Sequence, residues 1–478
     1  MVNRRDFIRL AGAALGGTLI TSCGVNQADV QSAAPGPQAQ LPNGFQFFNM
    51  KDSGQPLPGG ALPENYRLDA VIYDGASGSG AAYGAVGSDG RVGLYGAAFD
   101  LSGSTPRLAG EAVIIRTGDQ LDGKVVRGLD AFDSNLRGDL AIVVKTDGEY
   151  KAPKVDERGR VTSGEQVMPT QTLYLRREGR FQRLLGLGDR SVEGHELYGI
   201  FHDVDLHDDG RILVVAEYGH KLGDGRLEAR NGIFTLSGGD PATTRLVLSN
   251  ARKLAQTLDA PTLSRFGLVD LHDRGHFVAQ AITDVPQAGS PGFNPQSLGG
   301  GTGGGTVLVR GSLDANLASP NSVRVLASSE ASAGRATQSA VRGLNIMGPR
   351  SGPGYSVAHV LHASASEQAF VRDGQVVARS GELSPSGDRI LSFVSPVMGS
   401  GGEMYFVVVT EAGFELCAQA SGRQRTLLRT GDKLANDARA VGGIHLGYVT
   451  SQVDGAGRLA FTVTFQDGTA ALVLGLPV

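Results

Sequence analysis

The chain has 478 residues, 70 of them glycine and none tryptophan, with 6% aromatic residues and a formal net charge of −4. Lys and Arg are scattered without a cluster, so the basic footprint of a nucleic-acid binder is missing, and no long stretch keeps a helical period. Abundant glycine beside short alternating apolar runs suits a chain of many short strands and tight turns.

The N-terminus reads as an address. Asn3-Arg4-Arg5-Asp6-Phe7-Ile8-Arg9 resembles a twin-arginine export signal with Arg4 and Arg5 at its centre, and the apolar run Leu10 to Ile20 is too short to span a bilayer as a helix. Leu19-Ile20-Thr21-Ser22-Cys23 resembles a bacterial lipobox, which implies cleavage of residues 1–22 and acylation of Cys23 as a lipid anchor. Residues 23–44, rich in Ala, Gln and Pro, then read as a lipidated flexible linker ahead of a single folded domain over 45–478. Together these features place the protein in the bacterial cell envelope. After Cys23 only Cys417 remains, so the mature chain has no intramolecular disulfide to form. Cys417 lies in an apolar run and reads as a structural thiol.

From Phe45 the chain repeats itself. A polar turn closed by glycine recurs at Gly90, Gly138, Gly210, Gly275, Gly354, Gly402 and Gly457. Each is followed by an apolar strand, a second strand, a short turn and a third strand, and a looser segment leads to the next glycine. The last unit, Ser451 to Val478, is the clearest: Leu459, Phe461, Val463 and Phe465 alternate, and Gln466-Asp467-Gly468 reverses the chain. Units of about four strands at a period near 50 residues predict an all-β fold, a β-propeller of about seven four-stranded blades. That final unit stops after its second strand, and Phe45-Gln46-Phe47-Phe48 running on to Gly60 reads as the missing one. The N-terminal segment is therefore expected to pair with the last repeat and close the ring.

The turns Asn135-Leu136-Arg137-Gly138-Asp139-Leu140-Ala141-Ile142 and Asp454-Gly455-Ala456-Gly457-Arg458-Leu459-Ala460-Phe461 resemble the Asn-x-x-Gly-x-x-Ala-Phe repeat of bacterial choice-of-anchor tandem repeat proteins. In the other copies the first position is Gly87, His207, His272, Ser351 or Gly399. The resemblance implies a surface-anchored propeller and brings no catalytic residue with it.

Two groups of residues could carry chemistry. His202-Asp203-Val204-Asp205-Leu206-His207 places His202, Asp203 and Asp205 where side chains two apart share a strand face and could hold a cation. Against this, His207 and His272 fill the slot of Asn135 and Asp454, where a short polar side chain bonds its own turn, and this turn reading takes precedence over a metal. The second group is the Gly-acid pair after the third strand, at Asp119, Asp189, Glu382 and Asp432. In an up-and-down meander these exits share a face with the long insertions Glu149 to Gln171, Tyr218 to Asn231 and Asp284 to Gly305, which makes them candidate binding-face acids. A local turn role is the simpler reading for them too. No nucleophile elbow, zincin helix, phosphate loop or dinucleotide fingerprint is present, so neither a catalytic residue nor a cofactor is assigned.

The function expected from the sequence is that of a lipid-anchored envelope propeller, binding an unidentified ligand or protein through its long-loop face. The alternatives are an envelope hydrolase or lyase acting on a carbohydrate, with acids and histidines at the funnel mouth, and a structural scaffold.

Overall fold

The computed structural model describes residues 44–478 apart from 76–77, 156–160, 198–200, 251–261, 272–274, 285–303, 314–322, 329–339, 348–355, 363–367, 373–374, 395, 400–401, 447–452 and 455. Within them the strands form seven antiparallel sheets, most of them taken up in sequence order as up-and-down meanders. In the first sheet the strands are Pro63–Gly75, Gly78–Gly87, Val92–Asp100 and Arg107–Arg116. The second begins with the short hairpin Gln120–Leu121 into Lys124–Ser134 and continues through Leu140–Val155, Val161–Arg177 and Arg180–Gly186. In the third, Glu196–Leu197 and Asp203–Leu206 together edge Ile212–Lys221, followed by Leu227–Ser237 and Asp240–Ser249. The fourth, fifth and sixth sheets start at Thr262–Leu271, Ala340–Met347 and Ile390–Phe393.

The first strands of successive sheets lie against one another from the first sheet to the sixth, and the first sheet also packs on the last. Apolar clusters fill the spaces between sheets. Between the second and third, Ala141, Val143, Leu173 and Leu175 meet Leu206, Val214, Ala216 and Phe234. Alternation in each strand sends one set of side chains to each neighbouring sheet, which is why the central strands are buried on both faces. The architecture is an all-β β-propeller in which six blades are recognisable.

The seventh sheet joins the two ends of the folded chain. Phe45–Asp52 pairs antiparallel with Ala470–Pro477, Phe45 opposite Pro477 and Asp52 opposite Ala471. Phe48, Met50 and Leu57 are buried against Tyr83, Tyr95 and Phe99 of the first sheet and Leu472 and Leu474 of the last. Lys51, 2% exposed, reaches across to the first sheet, where its ammonium donates to Glu111 Oε2 at 2.5 Å and to the Pro56 carbonyl. The Tyr83 hydroxyl holds the other oxygen of Glu111. Beside them Arg439 bridges Asp52 and Asp437 and lies over the Phe465 ring, and its hydrogen bonds hold the Asp437 carboxyl down to about 2.

The recurring turn is built as the sequence suggests. In Asn135, His207 and Asp454 alike, the backbone carbonyl accepts from the glycine N–H three residues on, and that glycine has φ between 74° and 88°. Asn135 Oδ1 accepts from the amides of Arg137 and Asp139, Asp454 Oδ1 from those of Ala456 and Arg458, and His207 Nδ1 from Asp209. One copy sits elsewhere in the meander. The Gly87 to Gly90 turn joins the second and third strands of its sheet, whereas the other described copies join the first and second. The motif encodes a five-residue reversal that any adjacent antiparallel pair can use, so it reports turn geometry and not a strand's rank in its sheet.

Candidate functional site

In a meander the connections from second to third strand, and from the outermost strand to the next sheet, fall on one face. That face carries the long insertions, and they are hairpin arms more than loops: Leu140–Val155 and Val161–Arg177 stay paired out to Val155 and Val161, and Ile212–Lys221 with Leu227–Ser237 stays paired out to Lys221 and Leu227. Tyr150 on the first arm donates to Glu196 Oε1 at 3.1 Å, tying the arm to the edge of the third sheet. Burial raises the Tyr150 hydroxyl pKa well above the ordinary range, helped by that carboxylate.

The Gly-acid pairs lie on this face, and each acid closes its own turn. Asp119, Asp189, Glu382 and Asp432 each accept, through one side-chain oxygen, the backbone N–H three residues earlier, from Arg116, Gly186, Arg379 and Arg429 at 2.8 to 3.0 Å. The preceding glycines have φ between 88° and 93°, which lets the chain fold back over the carboxylate. The four turns belong to different sheets.

Asp203 and Asp205 are parted from His202. The strand they occupy is an inner sheet edge with backbone N–H groups on its free side, and such groups in successive sheets are met by carboxylates from the neighbouring strand. Asp133 Oδ2 accepts from Leu206 N at 2.9 Å, Asp203 Oδ2 from Val269 N at 3.0 Å and Asp205 Oδ2 from Leu271 N at 2.8 Å. The acids lash the second, third and fourth sheets together. Among the described residues no group of three or more His, Cys, Asp or Glu side chains is placed to hold a metal ion.

A second inter-sheet clasp was legible only as a recurring amide just ahead of an apolar run. Gln171, Asn231 and Gln368 accept, through their side-chain oxygens, the backbone N–H of Phe201, Phe266 and Phe393 in the next sheet. At the first of these a polar belt forms. Lys145 donates to Asp130 Oδ1 at 2.7 Å, Gln171 Nε2 donates to Asp130 Oδ2 and to the Phe201 carbonyl, and His202 follows directly in the chain. His202 Nε2 lies 3.4 Å from Glu217 Oε1, and Arg265 Nη2 lies 3.3 Å from both ring nitrogens. Lys145 and Glu217 are about two-fifths exposed, His202 much less. The belt thus crosses three sheets, with Lys145 and Gln171 paired at the base of the first arm, and of its members only His202 stood out in the sequence.

On the other side of the same hairpin the His195 ring packs at a tilt beside Tyr218 and His220, 4.9 Å and 5.6 Å from their rings. Arg230, Glu228 and Glu193 face the cluster, and the Tyr218 hydroxyl donates to Ser249 Oγ at 2.6 Å, which in turn donates to the Asn250 carbonyl. Burial lowers the pKa of both imidazoles, so the folded protein holds fewer protons here than the unfolded chain. Stability should therefore be full above the unfolded value near 6.5 and fall as pH drops through it toward the folded values. A lower melting temperature at pH 5.5 than at pH 7.5 is expected, with a smaller difference in His220→Gln. An identical pH dependence in that variant would exclude His220 as a source.

Cys417 is fully buried, and burial pushes its thiol pKa up, as an inert structural cysteine requires. Arg4, Arg5, Cys23 and His272 lie outside the described residues, as does most of Asp284 to Gly305.

No family model matches the chain, and no curated protein matches it. Several solved structures are similar. Polysaccharide lyase Uly1 aligns at 9% identity over 92% of this chain and 99% of its own, with a TM-score of 0.40. The Aleuria aurantia lectin, a six-bladed β-propeller, aligns at 10% identity over 77% and 97%, with a TM-score of 0.34. The Penicillium chrysogenum α-L-arabinanase aligns at 10% identity over 91% and 99%, with a TM-score of 0.33. What is shared is the fold alone.

Proposed function

We propose that this chain is a lipid-anchored propeller of the bacterial envelope that binds a carbohydrate at the mouth of its long-arm face. In this reading the seven sheets are seven blades, and the pairing of Phe45–Asp52 with Ala470–Pro477 closes their ring. The observation that carries the binding site is the belt of Lys145, Asp130, Gln171, His202, Glu217 and Arg265, which crosses three sheets. A hydroxyl-rich ligand needs donors and acceptors side by side, because each hydroxyl both gives and takes a hydrogen bond. The belt supplies them from paired strands, at the base of the arms. Binding is favoured over hydrolysis because Asp119, Asp189, Asp203, Asp205, Glu382 and Asp432 already hold backbone amides, whereas glycoside hydrolysis uses two carboxyl groups facing one bond.

A glycan array probed with the purified protein should show saturable binding that falls at least about tenfold in His202→Ala/Glu217→Ala with an unchanged melting curve, the loss of one or two good polar contacts. Binding that ignores both substitutions would remove the site, and cleavage of a bound glycan would favour the carbohydrate-active enzyme. The anchor is tested separately. Cys23→Ser should release the protein from membranes, and its retention after an alkaline wash would refute lipidation.

A further inference from the structure

We propose that Arg265 is the subsite for an anionic substituent, so that the carbohydrate bound at the mouth is an acidic one bearing carboxylate or sulfate groups. The inference rests on the binding reading above and narrows its ligand. Four partly buried arginines are neutralised by a carboxylate: Arg211 by Asp209, Arg230 by Glu228, Arg439 by Asp437 and Asp52, and Arg458 by Asp454. Arg372, also partly buried, instead spends its fork on the Gln419 side-chain oxygen and the Gly402 carbonyl. Among the described residues Arg265 has neither kind of partner. It sits on Thr262–Leu271 with its side chain partly covered, and among the described residues no carboxylate oxygen comes within ion-pairing distance of it. Its contact is with His202, and the equal 3.3 Å separations from Nδ1 and Nε2 mean that one N–H cannot be aimed at both lone pairs. The guanidinium therefore lies against the imidazole, with most of its fork uncommitted among the described residues.

A guanidinium has five donors in a fixed plane that match the two oxygens of a carboxylate or two oxygens of a sulfate. Leaving it half-covered and unpaired costs free energy, and a bound anion would recover it. Glu217 lies against His202 Nε2, where it can orient the ring. Lys145, held by Asp130 further along the belt, offers a second cation for a neighbouring charged residue of the same polymer.

The test uses the full chain purified in detergent and four probes: oligogalacturonate, its methyl ester, dextran sulfate and neutral dextran. The free acid should bind at least about tenfold more tightly than the ester, and the advantage should shrink as salt rises from about 20 mM to about 300 mM. Arg265→Met should bring acid and ester within about twofold of each other, whereas Arg265→Lys keeps part of the difference because it keeps the charge and loses the fork. Arg423→Met, on an outer strand, should change nothing. Preference for dextran sulfate over oligogalacturonate, lost in Arg265→Met, would assign the group as sulfate and still support the subsite. Equal binding of acid and ester together with equal binding of dextran sulfate and dextran, or an equal loss of charged and neutral probes in Arg265→Met, would overturn the anion subsite while leaving a carbohydrate site in place. Binding of none of the four probes would count against both.

Discussion

Removal of Phe45 to Gly60 is expected to abolish cooperative folding of the whole body. The segment buries Phe47, Phe48, Met50 and Leu57 at 2 to 6% exposure, and it supplies the strand that covers the edge of Ala470–Pro477. Each such side chain contributes roughly 1.5–3 kcal/mol, so their sum of about 6–12 kcal/mol is comparable to the whole margin of a typical domain. A chain starting at Asn43 should melt like the full protein, and one starting at Ala61 should show no cooperative transition. Equal melting temperatures would refute ring closure by a shared sheet. The point variant is sharper: Lys51→Met strands the Glu111 carboxylate, only 12% exposed, beneath the first sheet, at a cost of about 3–5 kcal/mol. Lys51→Met/Glu111→Gln should recover most of that loss, since the amide oxygen can still accept from Tyr83. A double variant as unstable as the single one would mean that packing of the lysine stem matters more than its charge.

Asp203→Ala/Asp205→Ala should destabilise the protein by about 2–6 kcal/mol, because two buried backbone N–H groups, of Val269 and Leu271, lose their acceptors and each costs about 1–3 kcal/mol. The Asn variants keep a side-chain oxygen at the same distance and should lose less than half as much. Chelators should leave the melting temperature of the native chain unchanged. A melting temperature that falls with chelator, together with Asn variants as damaging as Ala, would restore the cation reading of His202, Asp203 and Asp205. Calorimetry decides between the two.

The strand-and-turn grammar of the chain was legible because it is local. Alternation such as Leu459, Phe461, Val463 and Phe465 needs only the two-residue period of a strand, and the turn at Asp454 to Gly457 needs only a side-chain acceptor and a glycine with positive φ. The pairing of the chain ends was legible for a related reason: the last repeat lacks a strand, and Phe45 to Phe48 has the pattern to supply it. The turn role preferred for Asp432 was legible because it too is local, its carboxylate accepting from the Arg429 amide three residues back, whereas the role of Asp203 and Asp205 was not, because their partners lie in the next sheet.

The sequence by itself determined the class of the fold and the turn chemistry, since each follows from neighbours a few residues apart. Only the tertiary structure decided that Asp133, Asp203 and Asp205 tie sheet to sheet, and that Lys145, Asp130, Gln171, His202, Glu217 and Arg265 meet in one belt. Those contacts join residues between 15 and 73 positions apart. They depend on how each sheet's inner edge is set against the next, and no local pattern of apolar and polar residues encodes that offset.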